Sequence, residues 1–372
     1  MALKGNRGEW SELYAFLRLL SDGRLQITDA SLKPVRGASL VARGILRTEG
    51  GASLTYSVDA TGSITLAGGR SRRSSISTKI TVGRAARAVL RATTRAKGTY
   101  RVREVEALLR RMRITRLKSS AKRKGDLEVI VRDPELARDV TYNYSIKSQL
   151  GSAPTLLNAS GATNFRFRVV ADGLPSPSLR FDAKKGRDLV TALEMAGYRL
   201  DFVGAKSETF DRNLRMIDSG LPDIVGGLLR LFFGGRGDTI SDLTAKLIEE
   251  DPHAIGTRAT SHYRYKIMSL LEASALGMTP GTEWDGKLSA DGGLIVVKRS
   301  GTLACIPASR RDDFREYLFA NTKLDRPYMT RHGYGRLIRS GAMATLLLNL
   351  QIRFTSESRS SRSPARRTTR RS

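Results

Sequence analysis

The sequence predicts an α/β (α+β) fold, with β-strands and helices both well represented. Three observations predict it. Asp126–Val131 and Val140–Lys147 alternate apolar and polar residues with the period of two that marks half-buried strands. From Gly8 to Leu20, apolar residues recur at about 100° per residue, the helical spacing. From Arg187 to Glu250, four further segments carry helical rather than strand periodicity.

The N-terminal helix places Trp10, Leu13, Tyr14, Phe16, Leu17 and Leu20 on one side. Glu9 projects within that apolar arc and Glu12 lies just outside it. A carboxylate there needs a partner or a metal, although Glu9 would also suit the first-turn dipole. Leu25–Ala67 reads as short strands joined by turns at Gly50-Gly51-Ala52 and Asp59–Gly62. A helix is expected over Val102–Met112, with Arg103, Arg110, Arg111 and Arg113 facing outward. After Lys147 come a loop (Gly151–Thr163), a strand (Asn164–Ala171), and helices at Arg187–Ala196, Glu208–Met216, Leu221–Phe233 and Thr239–Glu250. A helix over Ser261–Ala275, a hairpin over Asp291–Ile306, a helix over Arg311–Asn321 and a closing strand over Thr345–Phe354 complete the pattern. Beyond Thr355, Arg, Ser and Pro dominate with almost no apolar residue, which predicts a disordered tail over 356–372.

At 372 residues and 40% hydrophobic, the chain can bury a substantial core. Its formal net charge of +28 points to a polyanionic partner, nucleic acid first. Between Arg70 and Lys124 there are 19 Lys or Arg against 2 Glu, and Arg110 and Arg111 lie in that stretch as candidate phosphate contacts. The single Cys305 excludes a disulfide framework and a cysteine-based zinc site, and the three histidines lack metal-ligand spacing. Neither a signal peptide nor an apolar run long enough to cross a membrane is evident, so a cytoplasmic protein is expected.

The two alternating strands carry the chemistry. Asp126 and Glu128 share one face of the first, while Ser145 and Lys147 share one face of the second, with Gln149 beyond them. An acid on one strand and a lysine on the next suit a metal-dependent nuclease, the acid holding Mg²⁺ and the lysine activating water. A lysine on an edge strand would also guard against aggregation.

A collinear set of segments resembles the HpaII-type restriction endonucleases, a PD-(D/E)xK-like family that cuts double-stranded DNA at CCGG. It comprises Gly8-Glu-Trp-Ser-Glu-Leu-Tyr-Ala-Phe16, Tyr144-Ser-Ile-Lys-Ser-Gln-Leu-Gly-Ser152 and Thr155-Leu-Leu-Asn-Ala159. It continues with Ala275-Leu-Gly-Met-Thr-Pro280, Trp284-Asp-Gly286, Asp291-Gly-Gly293, Arg331-His-Gly-Tyr-Gly335 and Leu348-Asn-Leu-Gln-Ile-Arg-Phe354. The resemblance implies a mixed sheet flanked by helices. Residues 1–200 would form the nuclease core, 201–355 a helical and hairpin region of the same globular unit engaged in DNA recognition. It also implies Asp126 as the metal-binding acid, Lys147 as the catalytic lysine, and Gln149 as a residue orienting water or phosphate.

Ser145 departs from the pattern, since a second acid normally stands two residues before the lysine. Glu9 is the first candidate to supply the missing carboxylate, then Glu12, then Glu128. Arg331, His332 and Arg326 are candidates for reading guanines. A cytosine methyltransferase would be the functional partner, and a homodimer could form on DNA. Two other readings are a basic nucleic-acid-binding protein that has lost its metal site at Ser145, and a structure-specific repair nuclease.

Overall fold

The structure, a computed structural model, describes residues 3–69, 71–118, 125–133, 138–170, 173, 176–341 and 343–356. The tail expected over 356–372 lies outside the described residues except for Ser356.

Helix α1 (Arg7–Asp22) begins in a reciprocal cap. The Asn6 side chain accepts from the Glu9 amide at 3.1 Å, and the Glu9 carboxylate accepts from the Asn6 amide at 2.8 Å. Its apolar stripe is fully used, with Trp10, Leu13, Phe16 and Leu17 completely buried. Gly23, at φ 69°, ends the helix in the left-handed conformation.

The strands that follow are β1 (Arg24–Thr28), β2 (Pro34–Glu49), β3 (Ala52–Val58), β4 (Ser63–Gly68) and β5 (Ser71–Thr78). Helix α2 (Lys79–Arg95) packs on α1, and a 3₁₀ turn (Arg103–Val105) leads into α3 (Glu106–Arg111), shorter than the single helix expected there. β6 (Leu127–Asp133) and β7 (Arg138–Ser148) then pair antiparallel. β7 also runs parallel to Gly293–Val297, which forms a hairpin with Leu303–Pro307.

The resulting nine-stranded sheet closes part of itself into a ring, which the sequence did not announce. Leu303–Pro307 pairs parallel with β1, and β1 pairs antiparallel with the first part of β2. Six strands therefore form a barrel-like ring, from which β3, β4 and β5 extend beyond β2. The cause lies in β2, a 16-residue strand where short ones were expected. Its first part lies along β1 and its second between β6 and β3, with a register shift between Ala42 and Gly44. An extra residue there bends and twists the strand, letting one strand serve different neighbours.

The hairpin strands Gly293–Val297 and Leu303–Pro307 are buried on both faces. Leu294, Val296, Ala304 and Ile306 face one apolar core, while Ile295, Val297, Leu303 and Cys305 face another. That double burial explains their uninterrupted apolar runs. The first core is completed by the helices Gly186–Met195, Glu208–Ile217, Leu221–Phe233, Ile240–Glu250, Ala259–Leu276 and Arg311–Asn321, close to their expected positions. The second gathers α1, α2 and the inner faces of β2–β4, β6 and β7.

The expected closing strand is two strands instead. Met343–Asn349 joins a four-stranded sheet, and Ile352–Phe354 lies between Thr322–Leu324 and Thr155–Leu157. Among the described residues, no helix is long and apolar enough to cross a membrane.

Candidate catalytic site

Register brings the acid and the lysine together. Leu127 pairs with Tyr144 and Glu128 with Asn143, so Asp126, one position before β6, falls beside Ser145. The Asp126 amide donates to the Tyr144 carbonyl at 2.8 Å. Its carboxylate oxygen Oδ2 accepts from the Ile146 amide at 2.7 Å and from Ser145 Oγ at 3.3 Å. A backbone donor cannot rotate away, so this bond fixes the orientation of the carboxylate. Lys147, two residues along the same face, is half-buried, and its Nζ donates to the Thr155 carbonyl at 3.4 Å. Thr155 in turn pairs with Arg353 across the three-stranded sheet.

Asp126, Ile146, Lys147 and Thr155 line a cavity of about 560 Å³ together with Arg7 and Glu12 of α1, Lys118 and Arg353. Lys118 is placed by a buried anchor on β2. Arg47 and Glu49 form an ion pair at 2.9 Å with side chains only 2% and 3% exposed. Glu49 also accepts from the Thr115 amide at 2.9 Å, and Arg47 donates to the Arg116 carbonyl at 2.8 Å. Residues 115–117 are thereby pinned to the sheet, and Lys118 Nζ lies 2.9 Å from Glu12 Oε1. At the other wall, Arg353 pairs with Asp325 at 3.3 Å, while Arg7 Nε donates to the Ala96 carbonyl at 2.7 Å.

The electrostatics follow from crowding charges into a half-enclosed space. Burial, and then the neighbouring Asp126, raises Glu12 to about 7, despite the opposing pull of Lys118 and Lys147. Burial lowers the Lys147 ammonium, and Asp126 and Glu12 only partly offset it. Burial also pushes Lys118 down, but Glu12, Asp126 and Glu9 outweigh it and the net shift is upward. A lysine held below its ordinary range beside two carboxylates is suited to accepting or polarising a proton.

The donor set fits a hard divalent cation. Two carboxylates converge on one cavity, and their mutual repulsion contributes to the rise of Glu12, which a cation between them would relieve. Among the described residues, no group of three or more acidic, His or Cys side chains is placed to hold a metal ion. Any remaining coordination would come from other oxygen donors.

Several expected site residues lie elsewhere. Glu9, the first candidate for the missing acid, is engaged in the helix cap and does not line the cavity; a carboxylate at that position satisfies the free Asn6 amide. Glu12, the second candidate, takes the place beside Asp126. Glu128 faces a separate depression with Thr141, Asn143 and Asp291, since the strand carries it one repeat along the sheet from Asp126. Gln149 borders a smaller neighbouring cavity that shares Lys147 but not Asp126, because its amide is tied to the Val297 carbonyl as the strand ends.

Arg326 and Arg331 are exposed, one residue after the Arg353 partner Asp325 and in the short helix Met329–His332 respectively. His332 is half-buried, with its carbonyl accepting from Asn164 Nδ2 at 2.8 Å. Arg110 and Arg111 are exposed at the end of α3, outside the cavity lining. Sequence reading missed Arg7, Lys118 and Arg353 as cavity residues. Arg353 carried a signal, since it lies inside one of the resembling segments; Lys118 was hidden in a run of cations.

The family model for the HpaII restriction endonuclease matches residues 6–354. The chain is 32% identical over 357 residues to the type II restriction enzyme HpaII of Haemophilus parainfluenzae, covering 94% of this chain and 98% of that protein. No solved structure matches it. The chain therefore belongs to the HpaII restriction endonuclease family and, with it, to the type II site-specific deoxyribonucleases.

Proposed function

We propose that the cavity of Asp126, Glu12 and Lys147 is a PD-(D/E)xK-like centre that hydrolyses phosphodiester bonds of double-stranded DNA at CCGG. The observation that carries this reading is the convergence of two carboxylates and a lysine, one carboxylate fixed by a backbone amide and the lysine lowered by burial. Glu12, arriving from α1, supplies the charge that Ser145 does not, which favours an active centre over a relic that merely binds DNA.

Asp126 and Glu12 would hold the divalent cation, taken as Mg²⁺, which supplies positive charge against the crowded phosphate of the transition state. Lys147 polarises or deprotonates the attacking water, a role that its burial-lowered basicity suits. Ser145 keeps Asp126 oriented. Arg7, Arg353 and Lys118 place three cations around the cavity where the scissile phosphate and its neighbours would lie. Arg326, next to the Arg353 partner Asp325, and Arg331 and His332 of the short helix Met329–His332 are the first candidates for reading guanines. In-line attack leaves a 5′-phosphate and a 3′-hydroxyl. The enzyme would act in the cytoplasm, as a homodimer on its palindrome, with host DNA protected by a cytosine methyltransferase.

Digestion of a plasmid of known sequence with Mg²⁺, followed by sequencing of the ends, tests the reading. Discrete fragments ending within CCGG are expected, and methylation of the inner cytosines should block them. Unchanged cutting of methylated DNA, or ends at unrelated sequences, would remove the proposed target.

A further inference from the structure

Helix α2 carries an unbalanced row of arginines. Its buried face is built from small residues, with Val82, Ala85, Ala86 and Val89 packed toward α1. Its exposed face presents Arg84, Arg87, Arg91 and Arg95 at spacings of three, four and four, so they stack along one line. Arg91 pairs with Glu104 at 3.2 Å in an exposed ion pair. Among the described residues, Arg84, Arg87 and Arg95 form no ion pair, and the helix contains no acidic residue at all.

A face that only needs solvation is ordinarily laced with both signs, because like charges four residues apart on a helix repel. Here that repulsion is kept, with the positive end of the row running to the helix C-terminus, where it is best tolerated. An external polyanion would turn the cost into affinity.

The row also leads to the cavity. The cavity residue Arg7 donates Nε to the Ala96 carbonyl at the α2 C-cap, and Gly98, just beyond it, lines the cavity wall. From Arg84 to Arg95 the helix advances about 16 Å. On duplex DNA that is the rise of about five base pairs. A row of this length matches a phosphate backbone and not a single anion.

We propose that the exposed arginines of α2 hold the DNA backbone flanking the cut, over about five base pairs on one side of the cavity. This rests on reading the cavity as the cutting centre. The contact would be to phosphates, so it would carry affinity and salt dependence without base preference.

The test uses the full chain with Ca²⁺ replacing Mg²⁺, and two CCGG duplexes. One has flanks of about fifteen base pairs, the other of about two, shorter than the proposed contact. Affinity is measured by fluorescence anisotropy across a salt series for wild type, Arg84→Gln/Arg87→Gln/Arg95→Gln, and the corresponding triple Lys variant. Gln retains helix propensity but not charge, whereas Lys retains both. On the long duplex, the Gln variant is expected to lower the slope of log affinity against log salt by roughly 0.9 per lost phosphate contact, up to about 2.7. The Lys variant should keep the wild-type slope, and all three proteins should bind the trimmed duplex alike. An unchanged slope in the Gln variant overturns the inference, as does an equal loss on both duplexes or a loss shared by the Lys variant. Wild-type cleavage in Mg²⁺ is scored separately. Cutting with no effect of the row overturns only this inference, whereas a working row without cutting overturns only the reading of the cavity.

Discussion

Lys118 Nζ lies 2.9 Å from Glu12 Oε1, joining the basic segment before β6 to helix α1 beside Asp126. The cavity thus sets two carboxylates, Asp126 and Glu12, among four basic side chains, Arg7, Lys118, Lys147 and Arg353, and a cation entering it must rearrange this set. Much of what can be tested follows from that balance.

Glu12 should destabilise the metal-free protein at alkaline pH. Its pKa in the fold, about 7, exceeds its ordinary value of 4.5, so folding favours the protonated form. Its stabilising share is fully present below about pH 4.5 and is lost as pH rises through about 7. Glu12→Gln, neutral throughout, is therefore expected to melt higher than wild type at pH 8 and alike near pH 4. The difference should be at most roughly 3 kcal/mol. With Ca²⁺ present, wild type should gain stability at pH 8 and the variant should not. A variant that melts lower than wild type at pH 8 without metal would remove Glu12 from this role.

Glu9 provides the contrast. Glu9→Ala loses the bond to the Asn6 amide and should cost about 1 kcal/mol in urea unfolding. Calorimetric Ca²⁺ affinity should be unchanged, because Glu9 does not line the cavity. A large loss of Ca²⁺ binding would restore it as a ligand.

Much of the site was legible, and the reasons for the rest are physical. Period-two alternation put Asp126, Ser145 and Lys147 on faces that register then brought together, so a local pattern was enough. The choice between Glu9 and Glu12 was not local. Glu9 projects within the apolar arc of α1 and Glu12 just outside it, and only the docking of α1 against β7 separates cap from cavity. Helix α2 escaped notice because alanines form much of its buried face, giving weak apolar contrast among many arginines. The six-strand ring depends on one bulge in β2 and a pairing between β1 and residues some 280 positions away, which periodicity cannot register. Lys118 is set by the Arg47–Glu49 anchor, itself a burial of two charges that sequence alone would place on the surface.

That anchor should be costly to break. Glu49→Gln leaves the Arg47 guanidinium buried without a counter-charge and is expected to destabilise by about 3–5 kcal/mol in chemical denaturation. Pairing it with Arg47→Met should recover most of the loss. If Glu49→Gln is neutral, the pair does not hold residues 115–118 in place.

Ser145 should matter far less than Asp126. Ser145→Ala removes one bond of 3.3 Å and leaves the Ile146 amide holding the carboxylate. A loss of about 1 kcal/mol, roughly fivefold in cleavage rate, is expected. A thousandfold loss would mean that Ser145 itself touches the reacting groups.

The most direct test is single-turnover cleavage of supercoiled plasmid in Mg²⁺ by Lys147→Met, at protein concentrations where Ca²⁺-supported binding is saturated. Lys147 is not proposed to hold the cation, so binding should survive while the rate falls by roughly 10²–10⁴-fold. Cleavage within a few-fold of wild type would contradict the assignment of this cavity as the catalytic centre.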